Sequence, residues 1–401
     1  MSESIQDKNI IKRQLFVKRG VKKIESYRKD KLKGIKEERA MKWVLLFLLT
    51  IMISLSAEEG KIKKYQNKNL PKERIESLKA EKVCSFPSTI EIGNITLGEI
   101  EPNSIQRNSK GDLILYNDIS KQLEIIDKNS KHIKSFLGRG KGPGEIQYFN
   151  GFFLGINDTI FVPASGNRKI IKFTPKGDFV KDIPLQETVP MKIKKCGDSY
   201  IGYGFTFTIE SGNISRESIL SLYDSKFNLI KNISFNKVEI KAKDGYDRFK
   251  GIYRFDTDDE NKLIYIAIPS TDRYTIDLLN SDGEKIEEIN RNYIRIKYTK
   301  EEIEKINKET KVIINGEIIK NTARFKPAIK NIFVSKSGKL WVENSIDTKR
   351  KEIPSYDVFE NGKLITKVKK ELVPENETIL NRGGEIVTRD EDGSINIYEV
   401  K

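Results

Sequence analysis

Short runs of alternating apolar and polar residues, separated by turn residues, recur along most of the chain. "GDLILYND" at 111–118 is followed by "KQLEIIDKNSKHIKSFLG" at 121–138. The same order of turn, strand, turn and strand recurs at 157–185, 217–235, 261–289 and 338–368. Alternation with a period of two between turn signals predicts β-strands rather than helices. The chain is therefore expected to be all-β over most of its length.

Each repeat ends in a two-strand hairpin of one design. "IIKFTPKGDFVKDI", "TIDLLNSDGEKIEEI" and "YDVFENGKLITKV" each place a glycine or asparagine where a tight turn needs a positive φ. Repeats of about 40 to 75 residues with about four strands each are typical of β-propeller blades. Five complete units and an incomplete sixth at 383–400 predict a six-bladed β-propeller over residues 84–401.

The ring must close by pairing the two ends of the chain, because a blade left incomplete would expose a strand edge. The segment "STIEIG" at 88–93 is a lone predicted strand without a blade. We therefore expect residues 88–93 to pair with residues 395–400 in the last blade.

One insertion between blades departs from the strand pattern. "TKEEIEKINKE" at 299–309 begins with Thr299 and Glu302 in the spacing of a capping box. This segment predicts a short surface helix, which we interpret as a structural decoration rather than as a lid over a site.

The segment "MKWVLLFLLTIMISLSAEEG" at 41–60 has the layout of a secretory signal. We predict a signal peptide at 41–57, preceded by a basic leader at 1–40 that is not translated if the chain starts at Met41, and followed by a polar linker or short helix at 58–83. The protein is then periplasmic or secreted. The alternative is an uncleaved anchor in the inner membrane with the propeller outside, since positive charge stays on the cytoplasmic side.

The net charge of +15 is concentrated at the start of the chain. Residues 1–40 hold 13 Lys and Arg against 6 Asp and Glu, and acids are interleaved with bases almost everywhere after them. This is a mixed solvated surface, so we expect no nucleic-acid partner. Cys84 and Cys196 are the only cysteines, and we expect two free thiols in a monomeric protein.

The stretch "FLGRGKGPGEIQYFNG" at 136–151 has the glycines and the lysine of a phosphate-binding loop. That motif requires a hydroxyl residue after the lysine and a helix after the loop. Here Gly142 and Pro143 follow Lys141, and a strand-like aromatic run comes next. The stretch is therefore interpreted as a sharp turn of the backbone.

Several segments in this order resemble the bacterial six-bladed β-propeller proteins related to NHL repeats. They are "GRGKGPGE", "TDRYTIDLLNSDGEKIEEI", "YTKEE", "GKLWVENS" and "YDVFENGKLI", and the resemblance covers about residues 84–401. It implies that the glycine loop is the crossing from the outer strand of one blade to the inner strand of the next. Most members of that family lack an assigned activity, so the resemblance implies a fold rather than a reaction.

Metal chemistry is limited by the residue inventory. NHL-like amidating lyases hold their metal with several histidines, whereas His132 is the only histidine here and is expected on the solvated surface. Gluconolactonase-like propellers instead hold a divalent cation with carboxylate and asparagine oxygens. Candidates for such a calcium-type site are Asp118, Asn157, Asp256 and Asn344.

Basic and aromatic residues near predicted turns are the candidates for ligand binding. They are Arg139, Lys141, Glu145, Arg168, Arg254, Arg273, Tyr274 and Arg324, with Tyr203 as a further aromatic. Such a surface suits an anionic or saccharide ligand. We predict an exported binding module for a peptide, glycan or protein partner, with no cofactor. The alternative is a metal-dependent hydrolase or lyase with a carboxylate and asparagine site in the central channel.

Overall fold

The computed structural model describes residues 62–400, with gaps at 69–74, 78–79, 87–89, 93–94, 98–103, 130, 211–212, 241–244, 246, 248, 310–311, 315–316, 351, 353–354, 370–377, 381–384 and 390–394. The leader at 1–40 and the signal segment at 41–57 lie outside the described residues. Among the described residues, no helix has the length and apolar content needed to cross a membrane.

The described strands, in chain order, are β1 (Lys63–Asn67), β2 (Ile75–Ser77), β3 (Ala80–Phe86), β4 (Ile90–Ile92), β5 (Ile95–Leu97), β6 (Ile105–Arg107), β7 (Leu113–Asn117), β8 (Gln122–Ile126), β9 (His132–Phe136), β10 (Gly138–Arg139), β11 (Glu145–Ile146), β12 (Phe153–Leu154), β13 (Ile160–Ala164), β14 (Lys169–Phe173), β15 (Phe179–Pro184) and β16 (Lys192–Cys196). They continue as β17 (Ser199–Glu210), β18 (Asn213–Tyr223), β19 (Leu229–Ile240), β20 (Arg254–Asp258), β21 (Leu263–Ala267), β22 (Tyr274–Asn280), β23 (Lys285–Arg291), β24 (Val312–Ile314), β25 (Glu317–Ile319), β26 (Ile329–Val334), β27 (Leu340–Asn344), β28 (Ser355–Glu360), β29 (Lys363–Lys369), β30 (Thr378–Leu380), β31 (Glu385–Arg389) and β32 (Ile395–Val400). Helix α1 spans Lys300–Glu309, and short 3-10 helices span Ile156–Asp158, Ser165–Asn167 and Thr348–Arg350.

These strands form a six-bladed β-propeller, which confirms the predicted fold class. The blades, each written from its first to its fourth strand, are β6–β9, β12–β15, β16–β19, β20–β23, β26–β29 and β30–β31–β32–β3. The first strands of neighbouring blades contact one another. Strand β16 contacts β20, and β20 contacts β26, so the first strands line the central axis. The predicted hairpins are the third and fourth strands of their blades.

The ring closes through a different strand from the one expected. Strand β32 pairs antiparallel with β3, with Phe86 opposite Ile395 and Ser85 opposite Asn396. Residues 90–92 instead form a hairpin with 95–97 in the connection to blade 1. Blade 6 therefore takes three strands from the C-terminal part of the chain and its outer strand from the N-terminal part. The predicted pairing of 88–93 with 395–400 is wrong, because the chain has already filled the outer position of blade 6 by Phe86.

The segment predicted as a polar linker or short helix at 58–83 is built as strands where it is described. Strand β1 adds a fifth, parallel strand outside β23 of blade 4, and β2 does the same outside β29 of blade 5. Strand β3 is the outer strand of blade 6, so β1, β2 and β3 lie at the outer edges of three successive blades. The expectation was wrong because an outermost strand faces solvent on one side and needs few apolar residues.

Hydrophobic side chains fill the spaces between blades. Ile125 and Phe136 of blade 1 pack with Ile160 and Phe173 of blade 2, and equivalent clusters join the later blades. The cluster that includes Val387 joins blade 6 to blade 1, together with Leu113, Leu115 and Ile397. The core is therefore continuous across the point where blade 6 meets blade 1.

The predicted helix is confirmed over Lys300–Glu309. Thr299 and Glu302 form the capping box, because the Thr299 N–H donates to Glu302 Oε2 at 2.9 Å and the Glu302 N–H donates to Thr299 Oγ1 at 3.2 Å. Glu302 Oε1 also pairs with Lys326 Nζ at 2.5 Å. The buried Lys326 donates in turn to the Ile346 carbonyl at 3.0 Å, so the helix is tied to the connections around blade 5.

Candidate functional site

The antiparallel order of strands divides the loops between two faces of the propeller. One face is formed by the loops between the second and third strands of each blade and by the connections between blades. We call this face the top face. Seven of the eight predicted ligand residues lie in these loops or at strand ends beside them, the exception being the buried Tyr274. They are Arg139, Lys141 and Glu145 after blade 1, Arg168 in blade 2, Arg254 and Arg273 in blade 4, and Arg324 before blade 5.

Three of these residues line one cavity of about 600 Å³, together with Arg295. We call it the arginine pocket, defined by Arg254, Arg273, Arg295 and Arg324. Its walls come from the connection into blade 4, the loop at 268–273, the connection at 292–328 and the start of β26. Arg295 was missed from the sequence because it lies between β23 and the inserted helix, a stretch with no regular pattern.

Backbone hydrogen bonds and side-chain contacts hold the walls of the arginine pocket together. The Lys326 N–H donates to the Ile296 carbonyl at 2.8 Å, and the Ala328 N–H donates to the Ser270 carbonyl at 2.8 Å. The Arg295 guanidinium carbon lies 3.7 Å from the centre of the Phe325 ring, a cation–π contact that orients it. Arg254 Nε donates to the Lys330 carbonyl at 2.9 Å.

The electrostatics of the arginine pocket are strongly positive. Burial lowers the pKa of Arg254, but a guanidinium remains charged at all physiological pH values. Arg273, Arg295 and Arg324 are exposed. In the part of the chain that the structure describes, none of the four guanidinium groups forms an ion pair with a carboxylate.

The two acids in the pocket wall are engaged in local turns. Asp247 accepts from the Phe249 N–H at 2.9 Å and the Lys250 N–H at 3.2 Å. Asp272 accepts from the Ser270 hydroxyl at 2.6 Å. That hydrogen bond, followed by the charges of Arg295 and Arg273, lowers the pKa of Asp272. Two exposed or half-exposed carboxylates thus face five cations, the four arginines and Lys250, and the net field of the cavity attracts anions.

Two predicted aromatic residues are buried rather than available to a ligand. Tyr274 is 2% exposed and donates from its hydroxyl to Asp357 Oδ2 at 3.1 Å. Asp357 also pairs with Arg291 and accepts from Asn344 at 2.7 Å. Tyr203 is 8% exposed and donates to Ser218 at 3.3 Å. The prediction for Tyr274 and Tyr203 is therefore wrong, because both lie in the packing between strands.

The glycine loop is the crossing from β9, the outer strand of blade 1, to β12, the inner strand of blade 2, as the resemblance implied. The Glu145 carboxylate folds back into the loop and accepts from the Gly142 N–H at 2.8 Å. The Gly140 N–H donates to the Ile146 carbonyl at 2.9 Å, and the Gly144 N–H donates to Asp182 at 3.3 Å. These loop amides are already satisfied, and a carboxylate takes the place that a phosphate would need.

Two of the remaining predicted cations, Lys141 and Arg168, line other cavities of the top face. Lys141 lines a cavity of about 480 Å³ beside Lys169 and Asp182. Arg168 lines another of about 760 Å³ between blades 2 and 3, where it donates to the Gln186 carbonyl. Five of the eight predicted ligand residues therefore line these three cavities, and the arginine pocket is the one of the three that gathers several of them.

The four candidates for a divalent cation are not brought together. Asp118 lies in a top-face loop of blade 1 and pairs with Lys121 at 2.5 Å, whereas Asn157 lies on the opposite face of blade 2. Asp256 is buried on β20, and Asn344 donates to Asp357. Among the described residues, no group of three His, Cys, Asp or Glu side chains is placed to hold a metal ion.

Asp256 serves instead to connect three inner strands. Its Oδ1 pairs with Lys194 Nζ of blade 3 at 2.9 Å, and its Oδ2 accepts from the Val334 N–H of blade 5 at 2.9 Å. Lys192 lies beside this pair and donates to the Phe255 carbonyl at 3.3 Å. Burial, and then the charge of Lys194, lower the pKa of Lys192 to about 7.

His132 is not the solvated surface residue that the sequence suggested. Its Nε2 lies 3.1 Å from Oε2 of Glu124, a carboxylate with no solvent exposure. Ser135 Oγ lies 3.2 Å from the same ring nitrogen and donates to Glu124 Oε2 at 2.5 Å. A serine–histidine–acid relay uses both ring nitrogens, one for each partner. Here both partners meet one nitrogen, so the cluster is not arranged as such a relay.

Cys196 is a buried free thiol, and burial raises its pKa to about 12. A thiol with so high a pKa is a poor nucleophile. The side chain of Cys84 lies outside the described residues.

No family model and no curated protein matches the chain. Solved structures do match the chain. One is a protein of Bacteroides fragilis described as exported, which is 10% identical to this chain. The match covers 85% of this chain and 100% of the other, with a TM-score of 0.46. A member of the DUF4221 family from Bacteroides vulgatus has 14% identity, 82% and 99% coverage, and a TM-score of 0.48. Virginiamycin B lyase from Staphylococcus aureus has 13% identity, 81% and 99% coverage, and a TM-score of 0.34. At these values no function is transferred, and the propeller assignment rests on the strand pairing.

Proposed function

We propose that this protein is an exported binding propeller that holds an anionic ligand in the arginine pocket. The observation that carries the proposal is the set of four guanidinium groups around one cavity, none of them in an ion pair with a described carboxylate. Guanidinium groups bind carboxylate and sulfate with two parallel hydrogen bonds, and cavities of roughly 300–1,000 Å³ hold small ligands.

A carboxylate-bearing saccharide is the ligand class that fits the walls best. Hydroxyl groups of Ser270, Thr271 and Thr322 stand among the arginines, and Phe325 and Phe249 supply apolar surface. Sugars combine many hydroxyl groups with apolar ring faces, whereas a simple inorganic anion would leave the aromatic walls unused. The proposal includes export of the protein, which the signal-like sequence at 41–60 supports. It also includes a relation to NHL-repeat propellers, which the glycine loop supports.

The proposal is tested by calorimetric titration with trigalacturonate, and with maltotriose as an uncharged trisaccharide of similar size. We expect saturable binding of the acidic sugar that weakens as salt is added, because screening reduces the field of the pocket. Arg273→Gln should weaken binding by about tenfold, since a hydrogen-bonded ion contributes about 1.5–3 kcal/mol. Lys176→Gln, in an exposed loop of the opposite face, is the matched control.

Equal binding by the Arg273→Gln and Lys176→Gln variants would place the ligand elsewhere. Equal binding of the neutral sugar would remove the role of charge. Absence of binding to trigalacturonate would reject the acidic saccharide as the ligand class.

A further inference from the structure

Blade 3 extends beyond the other blades on the top face. Its second strand, β17, runs over Ser199–Glu210, but the first strand, β16, pairs with it only as far as Tyr203. On the other side, β18 pairs with β17 from Tyr200 to Glu210. Among the described residues, no strand pairs with the axis-facing side of β17 beyond Tyr203.

The backbone groups on this side of β17 point outward. The Tyr203 carbonyl accepts from the Met191 N–H at 2.8 Å, so residue 203 directs its backbone groups away from β18. Backbone direction alternates along a strand, and therefore Phe205, Phe207 and Ile209 direct their N–H and C=O groups the same way. Thr206 and Thr208 direct theirs toward β18. We call the backbone and side chains of residues 205–209 the open edge.

Three side chains of the open edge, those of Phe205, Phe207 and Ile209, are apolar, and two of them are exposed. Phe207 is 58% exposed and Ile209 is 71% exposed. Phe205 and Phe207 pack edge to face with centroids 5.6 Å apart. The sequence "FTFTI" contains neither a charge nor a proline, and the register irregularities of this blade lie between β18 and β19 rather than at β17. Free strand edges in monomeric proteins are usually blocked by charges, prolines or bulges.

A cavity lies beside the first residues of the open edge, Phe205 and Thr206. It has a volume of about 760 Å³ and is lined by Phe205 and Thr206 together with Tyr148 from the connection into blade 2 and Arg168 of blade 2. Tyr148 is 67% exposed. The cavity offers an apolar wall and a charged rim beside outward-facing backbone donors and acceptors, which is the arrangement that a bound peptide side chain needs.

We propose that the open edge binds an extended polypeptide segment of a partner protein by strand addition. The backbone of the partner pairs with Phe205, Phe207 and Ile209, and one of its side chains enters the cavity between blades 2 and 3. The occupant is a strand rather than a saccharide, because unpaired N–H and C=O groups at strand spacing are complementary only to another strand. Alternating apolar residues in the partner would cover Phe207 and Ile209. This site uses none of the four residues that define the arginine pocket.

The test uses the full chain and a short fluorescent peptide of alternating valine and threonine with a lysine at each end. The control is the same peptide N-methylated at alternate residues, which cannot donate hydrogen bonds along one edge. We expect saturable binding of the first peptide only, measured by fluorescence anisotropy. Amide hydrogen exchange at saturation should slow at Phe207 and Ile209, whereas Thr206 and Thr208, already paired with β18, should be unchanged.

Phe207→Pro removes one outward donor and leaves the β17–β18 pairing intact, since that N–H does not face β18. It should weaken peptide binding by about tenfold. Phe207→Lys serves as a second variant if the proline variant does not fold, because a lysine on an edge opposes strand addition without changing the backbone.

Three results would overturn the proposal. The first is equal binding of the N-methylated peptide, and the second is unchanged binding by both Phe207 variants. The third is a dimer in sedimentation that Phe207→Lys dissociates while no peptide binds, which would assign the edge to a second copy of this chain. None of these results bears on trigalacturonate binding, so the arginine pocket is tested separately.

Discussion

Single residues decide the shape of the glycine loop. Gly138, Gly140 and Gly142 surround the Glu145 carboxylate so closely that a Cβ on any of them would meet it. Gly144 has a φ of +72°, and a Cβ there would lie 3.1 Å from the Phe179 ring. The sequence was enough to identify this stretch as a turn. It could not show that Glu145 fills the turn from inside, because that depends on a side-chain conformation.

Gly144→Ala should lower the free energy of unfolding by about 1 kcal/mol or more, since a left-handed φ is costly for residues with a Cβ. Arg139→Ala, an exposed neighbour in the same loop, should change it by less than about 0.5 kcal/mol. Urea denaturation of the two variants measures both values. If Gly144→Ala proved as stable as the wild type, the loop would not be under the backbone constraint described here.

Lys192 makes the free energy of unfolding of the propeller depend on pH. Its pKa is about 7 in the folded protein and about 10.5 in the unfolded chain, so between these values the unfolded chain binds the extra proton. Stability contributed by this residue therefore rises with pH above about 7, by at most about 1.4 kcal/mol per pH unit, and is constant below it.

The measurement is the difference in unfolding free energy between the wild type and Lys192→Met, taken from pH 6 to pH 9.5. The difference should shift in favour of the wild type as the pH rises. Lys176→Met, at an exposed loop, should show no such trend. Parallel curves for the wild type and Lys192→Met would mean that the amine is not desolvated.

At the scale of elements, the hairpins were predictable and the closing strand was not. Gly177, Gly283 and Gly362 have φ of +76°, +71° and +75°, so each hairpin turn carries its own local signal. Strand β3 has no such signal. It is the outer strand of its blade, and Val83 is its contribution to the core between blades 6 and 1. Residues 88–93 have the stronger β pattern, yet position in the ring decides which strand pairs.

The outer strand β1 is held by one asparagine that touches two blades. Asn67 Nδ2 donates to the carbonyls of Asn290 in blade 4 and Gly362 in blade 5, at 3.2 and 3.0 Å. Its Oδ1 accepts from the Leu364 N–H at 2.9 Å. Asn67→Ala should lower the free energy of unfolding by about 1–3 kcal/mol, because these groups lose their partners. Gln66→Ala, next to it and more exposed, should cost less in the same urea titration.

At the scale of the whole molecule, a cationic cavity and an unpaired strand edge lie on the same face of the propeller. The arginine pocket is built by the connections around blades 4 and 5, whereas the open edge belongs to blade 3. The sequence supplied three of the four arginines of the pocket as candidates, but it could not show which loops converge. Arg139 and Arg273 looked equivalent as turn residues, and only the order of blades around the axis separates them.

Truncation from the N-terminus should show where the propeller begins. A chain that starts at Ile62 keeps β1, β2 and β3 and should unfold cooperatively like the full chain. A chain that starts after Phe86 lacks the outer strand of blade 6 and should be destabilised by several kcal/mol or associate through the exposed edge of β32. Circular dichroism melts and sedimentation distinguish the two. A fully stable monomer without β3 would contradict the closure described here.

The contact between Ser85 and Asn396 joins residues 311 positions apart, with a hydrogen bond of 2.8 Å. A ribosome makes β3 long before β31 and β32, so β3 has no partner strand until β32 has been synthesised. Blade 6 can form only after β32 has emerged, and the ring cannot close in a polypeptide that stops before β32. Synthesis of β32 is thus the event that permits the closing step of folding, and a product terminated before β32 would keep β3 unpaired.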